Sequence, residues 1–100
     1  MKRSTVIVTG AARGIGKSVA QYFASKDFNV VVADNNKDEG ISTVGHLRDL
    51  GYEAIFVKTD VSLLPELENL MRETTGTYGS IDVLINNAGL SEFYDPLEIS

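Results

Sequence analysis

Short runs of β-branched and other apolar residues alternate along this chain with helix-length amphipathic stretches. Residues 5–9, 30–33, 54–57 and 81–86 are apolar on nearly consecutive positions, with Asp82 as the main interruption. Continuous rather than alternating hydrophobicity marks strands covered on both faces, as in a parallel sheet. Between them the spacing predicts a helix over 14–25 with Ile15, Val19, Phe23 and Tyr22 turned inward. A second helix, over 37–50, repeats Ile41, Val44 and Leu47, with Asn35 or Asn36 as its start signal and Gly51 as its end. A third follows Ser62 as cap, carries Leu64, Leu67, Leu70, Met71 and Thr74 on one face, and stops at Gly76 or Gly79.

The order β-α-β-α-β-α-β implies an α/β, doubly wound parallel sheet with right-handed crossovers and a helix layer on each face. No internal repeat or low-complexity tract interrupts it. After Gly89 the segment LSEFYDPLEIS turns polar and Ser100 reads as the cap of a further helix, so residues 1–100 are expected to be the front part of one longer domain. With 43% hydrophobic and 23% charged residues, the composition is globular. Nine basic against fourteen acidic residues, a net charge of -5 and no Lys/Arg stripe argue against nucleic acid or anionic membrane as a partner. The absence of cysteine removes disulfides and thiolate metal sites. MKRS leads into only three strongly apolar residues at 6–8, too few for a signal or membrane-spanning core, so the expected location is cytoplasmic.

The candidate chemistry lies in TGAARGIGKS, residues 9–18, where two different phosphate sites overlap. Read from Ala11, AARGIGKS is a relaxed nucleoside-triphosphate P-loop, with Gly16, Lys17 and Ser18 in place and NVVVAD supplying a strand that ends in a metal-binding Asp. Read from Thr9, glycines 10, 14 and 16 form a strand-to-helix turn whose backbone can approach a dinucleotide pyrophosphate. Their GxxxGxG spacing departs from the general GxGxxG, but Asp34 ends the second strand 18 residues after Gly16, where an acid can accept from the adenine ribose hydroxyls. A third alternative is a non-catalytic, receiver-like nucleotide module built around Asp60; against it, the first strand is followed by glycines rather than an acidic pair.

Residues 9–16 match, letter for letter, the TGxxxGIG motif of the short-chain dehydrogenase/reductase family, which the chain resembles along its whole length. Asp60 and Val61 close the third strand as in the family, Asn86–Gly89 reproduce its NNAG motif, and the preceding GSIDVLI is similar as well. The resemblance implies a Rossmann-type sheet of order 3-2-1-4, truncated before its later strands, and a cofactor site of Gly10, Arg13, Gly14, Ile15, Gly16, Asp34, Asp60, Val61, Asn87, Ala88 and Gly89. It implies a hydride transfer between NAD and a secondary alcohol or ketone, with NADP disfavoured by Asp34, and a parent protein assembled as a homo-tetramer or homo-dimer. Arg13 either approaches a phosphate or is an ordinary exposed charge. Lys17 and Ser18 then belong to the first helical turn.

The family's acid/base pair is Tyr-x-x-x-Lys, whose lysine lowers the tyrosine from its ordinary value near 10. YFASK at 22–26 matches that pattern but lies at the far end of the first helix, about 12 Å from the pyrophosphate end. Tyr22 and Phe23 are therefore read as packing residues and Lys26 as an exposed charge. Tyr52, Tyr78 and Tyr94 lack the lysine, so no catalytic residue is expected in this chain and the 100 residues alone should be inactive. His46 has no second ligand at metal spacing, and no metal site is expected. Glu66, Glu68 and Glu73 read as a solvated helix face. Asp95 and Glu98 lie in a loop that the resemblance places toward the substrate.

Overall fold

A computed structural model of the protein describes residues 3–87. Strands β1 (Thr5–Thr9), β2 (Asn29–Asp34), β3 (Ala54–Lys58) and β4 (Val83–Asn86) form one parallel sheet of order β3-β2-β1-β4, the order expected. Helices α1 (Gly14–Ser25), α2 (Lys37–Asp49) and α3 (Leu64–Tyr78) connect them. The pleat sends Val6, Val8, Val30 and Val32 to one face, where they pack with Ala20 and Ala24 of α1 and Val44 and Leu47 of α2. Ile7, Val31, Ala33 and Val57 turn to the other face, beneath Leu70 of α3. Both sides of β1 and β2 are therefore dry, which is why these strands read as unbroken apolar runs. Each buried Val or Ile contributes about 1.5–3 kcal/mol of transfer free energy.

Helix α1 keeps its expected limits but turns a different face inward. Ile15 is 76% and Tyr22 58% exposed, whereas Gly16, Ala20 and Ala24, spaced by four, are buried and Val19 and Phe23 flank them. Small residues along one stripe let the helix axis approach the sheet, and that stripe, not side-chain bulk, sets its orientation. In α2 the Asn36 Oδ1 accepts from the Glu39 N–H at 3.0 Å, and Gly51 follows the helix at φ +88°. Ile41 is 50% exposed; its neighbour Gly40 faces the sheet, where a Cβ would overlap the Phe56 ring.

Helix α3 starts from Leu63, because the Ser62 hydroxyl is occupied by Asp60. It passes through Gly76 and ends at Gly79, φ +83°. Leu70 and Thr74 are buried, while Leu64 is exposed. Strand β4 begins two residues later than expected because Asp82 is engaged elsewhere. Its carboxylate accepts the Thr5 N–H at 2.8 Å and its own N–H donates to the Thr5 carbonyl at 2.9 Å, hooking β4 to the start of β1. Among the described residues no helix is long and apolar enough to cross a membrane.

Burial, with the hydroxyl's bond to Glu53 Oε2 at 2.9 Å, raises Tyr78 far above the usual tyrosine range. Because the folded value is raised, this stabilisation is present below the unfolded value near 10 and is lost as pH climbs from there toward the folded value. Tyr78→Phe is expected to cost about 1 kcal/mol at neutral pH. It should also remove the late-ionising component from an alkaline absorbance titration of the four tyrosines.

Candidate functional site

The chain leaves β1 at Thr9 and turns through Gly10 at φ +63°, whose N–H donates to the Ala33 carbonyl at 2.8 Å. Ala11 and Ala12 are buried, and α1 opens at Gly14, φ +64°. The left-handed conformation accounts for glycine at 10 and 14. Gly16 has a different reason. A Cβ there would overlap the Gly10 carbonyl oxygen and stand 2.6 Å from Asn87 Nδ2, so only glycine lets the helix lie against the backbone of its own entry loop.

Three further long-range bonds hold this loop. Asp34 Oδ2, from the end of β2, accepts the Ala12 N–H at 3.1 Å. The Thr43 hydroxyl of α2 donates to the Ala12 carbonyl at 2.8 Å in a buried contact. Asn87 Nδ2, just past β4, donates to the Gly10 carbonyl at 3.1 Å. A fourth link, Thr9 Oγ1 to Asn86 Oδ1 at 3.1 Å, ties the strand ends together. The loop backbone is thus fixed before any ligand arrives.

At the first turn of α1 there is no acidic residue, and its N-cap Arg13 makes no side-chain cap bond; α2 and α3 carry Asp38, Glu39 and Glu66 at the same place. The first amides of a helix have no intrahelical acceptor and form its positive end. In α1 that end borders a groove of about 1160 Å³ at the carboxyl ends of the strands, beside the point where the strand order reverses between β1 and β4. Gly10, Arg13, Gly14, Ile15, Asp34, Asp60, Val61 and Asn87 all line it, so the exposure of Ile15 to solvent is exposure to this groove. Gly16 lies behind the wall. Ala88 and Gly89, with Tyr94, Asp95 and Glu98, lie outside the described residues.

The Asp34 carboxylate accepts from Ala12 N on one oxygen and from Asn36 N, at 2.9 Å, on the other. A carboxylate has about four acceptor positions, so two remain for a pair of vicinal hydroxyls. Asp60 Oδ1 accepts from the Ser62 hydroxyl at 2.6 Å and its N–H at 2.9 Å, and these bonds hold its carboxyl below the usual range. Glu66 corrects the expectation of a solvated face. Its Oε1 accepts the Asp60 N–H at 2.7 Å, pinning the turn that carries Asp60 and Val61, while Glu68 and Glu73 are solvated. β3 ends at Lys58, so Asp60 and Val61 lie in the turn after the strand rather than closing it, and an acid in the first turn of the next helix, six residues after Asp60, was the available signal.

Lys17 belongs to the first turn of α1. In YFASK the Lys26 ammonium sits 5.7 Å over the face of the Tyr22 ring rather than at its hydroxyl, and neither residue lines the groove. His46 is exposed in the last turn of α2, and no cluster of three metal-ligating side chains occurs among the described residues.

Residues 4–100 match the family model described as short chain dehydrogenase. A diacetyl reductase [(S)-acetoin forming] of Staphylococcus epidermidis is 39% identical over 95% of this chain and 37% of its own length. Among solved structures, a hydroxysteroid dehydrogenase from Escherichia coli is 34% identical with a TM-score of 0.83, over 85% of this chain and 36% of that one. A short chain dehydrogenase/reductase from Burkholderia phymatum in complex with NAD is 31% identical with a TM-score of 0.81, over 83% and 30%. The chain therefore spans well under half the length of these relatives. Nearly the whole of it matches the family model, and neither the P-loop nor the receiver alternative finds support: the chain belongs to the short-chain dehydrogenase/reductase family of oxidoreductases.

Proposed function

We propose that these residues form the N-terminal dinucleotide-binding part of a single Rossmann-type domain, in an oxidoreductase that moves a hydride between NAD(H) and a secondary alcohol or ketone. The observation that carries this reading is the braced glycine loop, with the uncapped end of α1 and the Asp34 carboxylate bordering one groove. The donors and acceptors fit such a ligand in order: helix amides for the pyrophosphate, two open carboxylate positions for the adenosine ribose, and the Asp60–Val61 turn for the adenine. When bound, the nicotinamide supplies or takes up a hydride. The chain's own residues bind and orient; the proton-transferring pair is assigned to a part of the protein beyond residue 100. Small-molecule alcohols or ketones, a cytoplasmic location and a homo-dimer or homo-tetramer complete the reading.

The experiment is a titration of the full-length protein with NADH and, separately, with MgATP. NADH is expected to bind without magnesium, and Lys17→Ala should leave its affinity within about twofold. Binding of MgATP that Lys17→Ala abolishes, with no NADH binding in the parent protein, would sink the proposal.

A further inference from the structure

Among the described residues that line the groove, Arg13 is the one cation, set against Asp34 and Asp60. That cation is already engaged. Its Nη1 lies 3.7 Å from Glu39 Oε1, with the Arg13 side chain 81% and the Glu39 side chain 40% exposed. An exposed pair at this distance adds little to stability, so its importance lies in where it places charge. Glu39 is the fixed partner: its Oε1 accepts from Asn36 Nδ2 at 2.7 Å, its N–H donates to Asn36 Oδ1 at 3.0 Å, and the Asn36 N–H in turn donates to Asp34. The result is a continuous chain, Arg13 to Glu39 to Asn36 to Asp34, around one end of the groove, holding two carboxylates against one guanidinium.

Resting on the dinucleotide reading above, we propose that Glu39 is a specificity-determining residue. It draws Arg13 into an ion pair and adds a second negative charge near Asp34, so that an adenosine ribose with a free 2′-hydroxyl is accepted and one bearing a 2′-phosphate is rejected. Glu39 acts through Arg13 and through the local field and is a positioning residue, not a catalytic one. Two other cations lie near this chain of contacts, Lys58, which donates to Asn35 Oδ1 at 3.1 Å, and Lys37, which follows Asn36 at the start of α2, and neither is part of the groove lining.

The test is calorimetric titration of the full-length protein with adenosine 5′-monophosphate and with adenosine 2′,5′-bisphosphate, which report on the ribose end without any turnover. Glu39→Gln keeps the oxygen that accepts from Asn36 and removes only the charge. It is expected to tighten the bisphosphate by about three- to tenfold and to leave the monophosphate within about twofold. In an Arg13→Ala background the greater part of that gain should disappear, because the freed guanidinium is its main source. Glu39→Ala, the second variant, should shift the ratio in the same direction. An unchanged ratio in both variants overturns the assignment of Glu39, and a gain of equal size without Arg13 overturns its action through the Arg13 ion pair. A parent protein that binds neither the monophosphate nor NADH overturns the dinucleotide reading instead, so the two failures are distinct.

Discussion

Gly16→Val in the full-length protein is expected to weaken NADH binding by about a hundredfold or more and to destabilise the fold. The Cβ alone would overlap the Gly10 carbonyl oxygen, and that carbonyl cannot swing aside while Asn87 Nδ2 donates to it and the neighbouring Gly10 N–H is bonded to Ala33. Overpacking against side chains costs about 1–3 kcal/mol; here the obstacle is backbone, and the cost should reach or exceed the top of that range. Relief requires α1 to move off the loop, which carries its first amides away from the phosphate position. A hundredfold loss corresponds to about 2.7 kcal/mol. Gly14 supplies the comparison: a Cβ there meets nothing within 4 Å, so Gly14→Ala pays only for its positive φ, about 1–2 kcal/mol. Denaturant unfolding and NADH titration of both variants check the ranking, and a Gly16→Val protein that binds NADH normally would refute it.

The second large effect is a preference for NAD(H) over NADP(H) of at least about tenfold in kcat/KM. A 2′-phosphate carries about -1.5 to -2 charge. Placed about 4 Å from Asp34, it meets a repulsion of about 4 kcal/mol per unit charge at an effective dielectric of 20, before rearrangement reduces it. A residue of 1.4 kcal/mol is already tenfold. The structure adds a second consequence for Asp34→Ala: the amides of Ala12 and Asn36 both lose their acceptor. The variant should therefore move the ratio toward NADP while kcat/KM falls with both cofactors, rather than trading one for the other. Steady-state kinetics with any accepted alcohol measure both quantities, and an unmodified enzyme that uses NADP as well as NAD contradicts the expectation.

The strands were legible in the sequence because two-sided burial makes the middles of β1 and β2 continuously apolar, whereas their order came from the family resemblance and not from local composition. The limits of α1 were equally plain, since the glycines before it and the apolar spacing along it delimit the 14–25 span. Its inward face was not. Bulk suggested Ile15 and Tyr22, while the sheet selected Gly16, Ala20 and Ala24 because closeness of approach outweighed side-chain size. Ser62 failed as a cap for a similar reason: a hydroxyl that can cap a helix can also bond an adjacent carboxylate, and Asp60 won. At the site, the motif residues were legible as letters, but their partners were not. Thr43 bonding Ala12 and Glu39 facing Arg13 are relations between elements that no local spacing encodes, whereas Glu66 bonding Asp60 left a short-range signal that a helix-face reading passes over.

The bonds that hold the glycine loop join residues 22, 31 and 77 positions apart. Loop closure over such separations is compensated only once β2, α2 and β4 are all in place, so the nucleotide cradle is expected to be among the last parts of this sheet to become rigid during folding. The same wiring makes the cradle a reporter on the way out. Hydrogen exchange at the Gly10 and Ala12 amides, whose acceptors are Ala33 and Asp34, should proceed through openings that release these links before the sheet core unfolds, and NADH should slow it in proportion to ligand concentration over Kd.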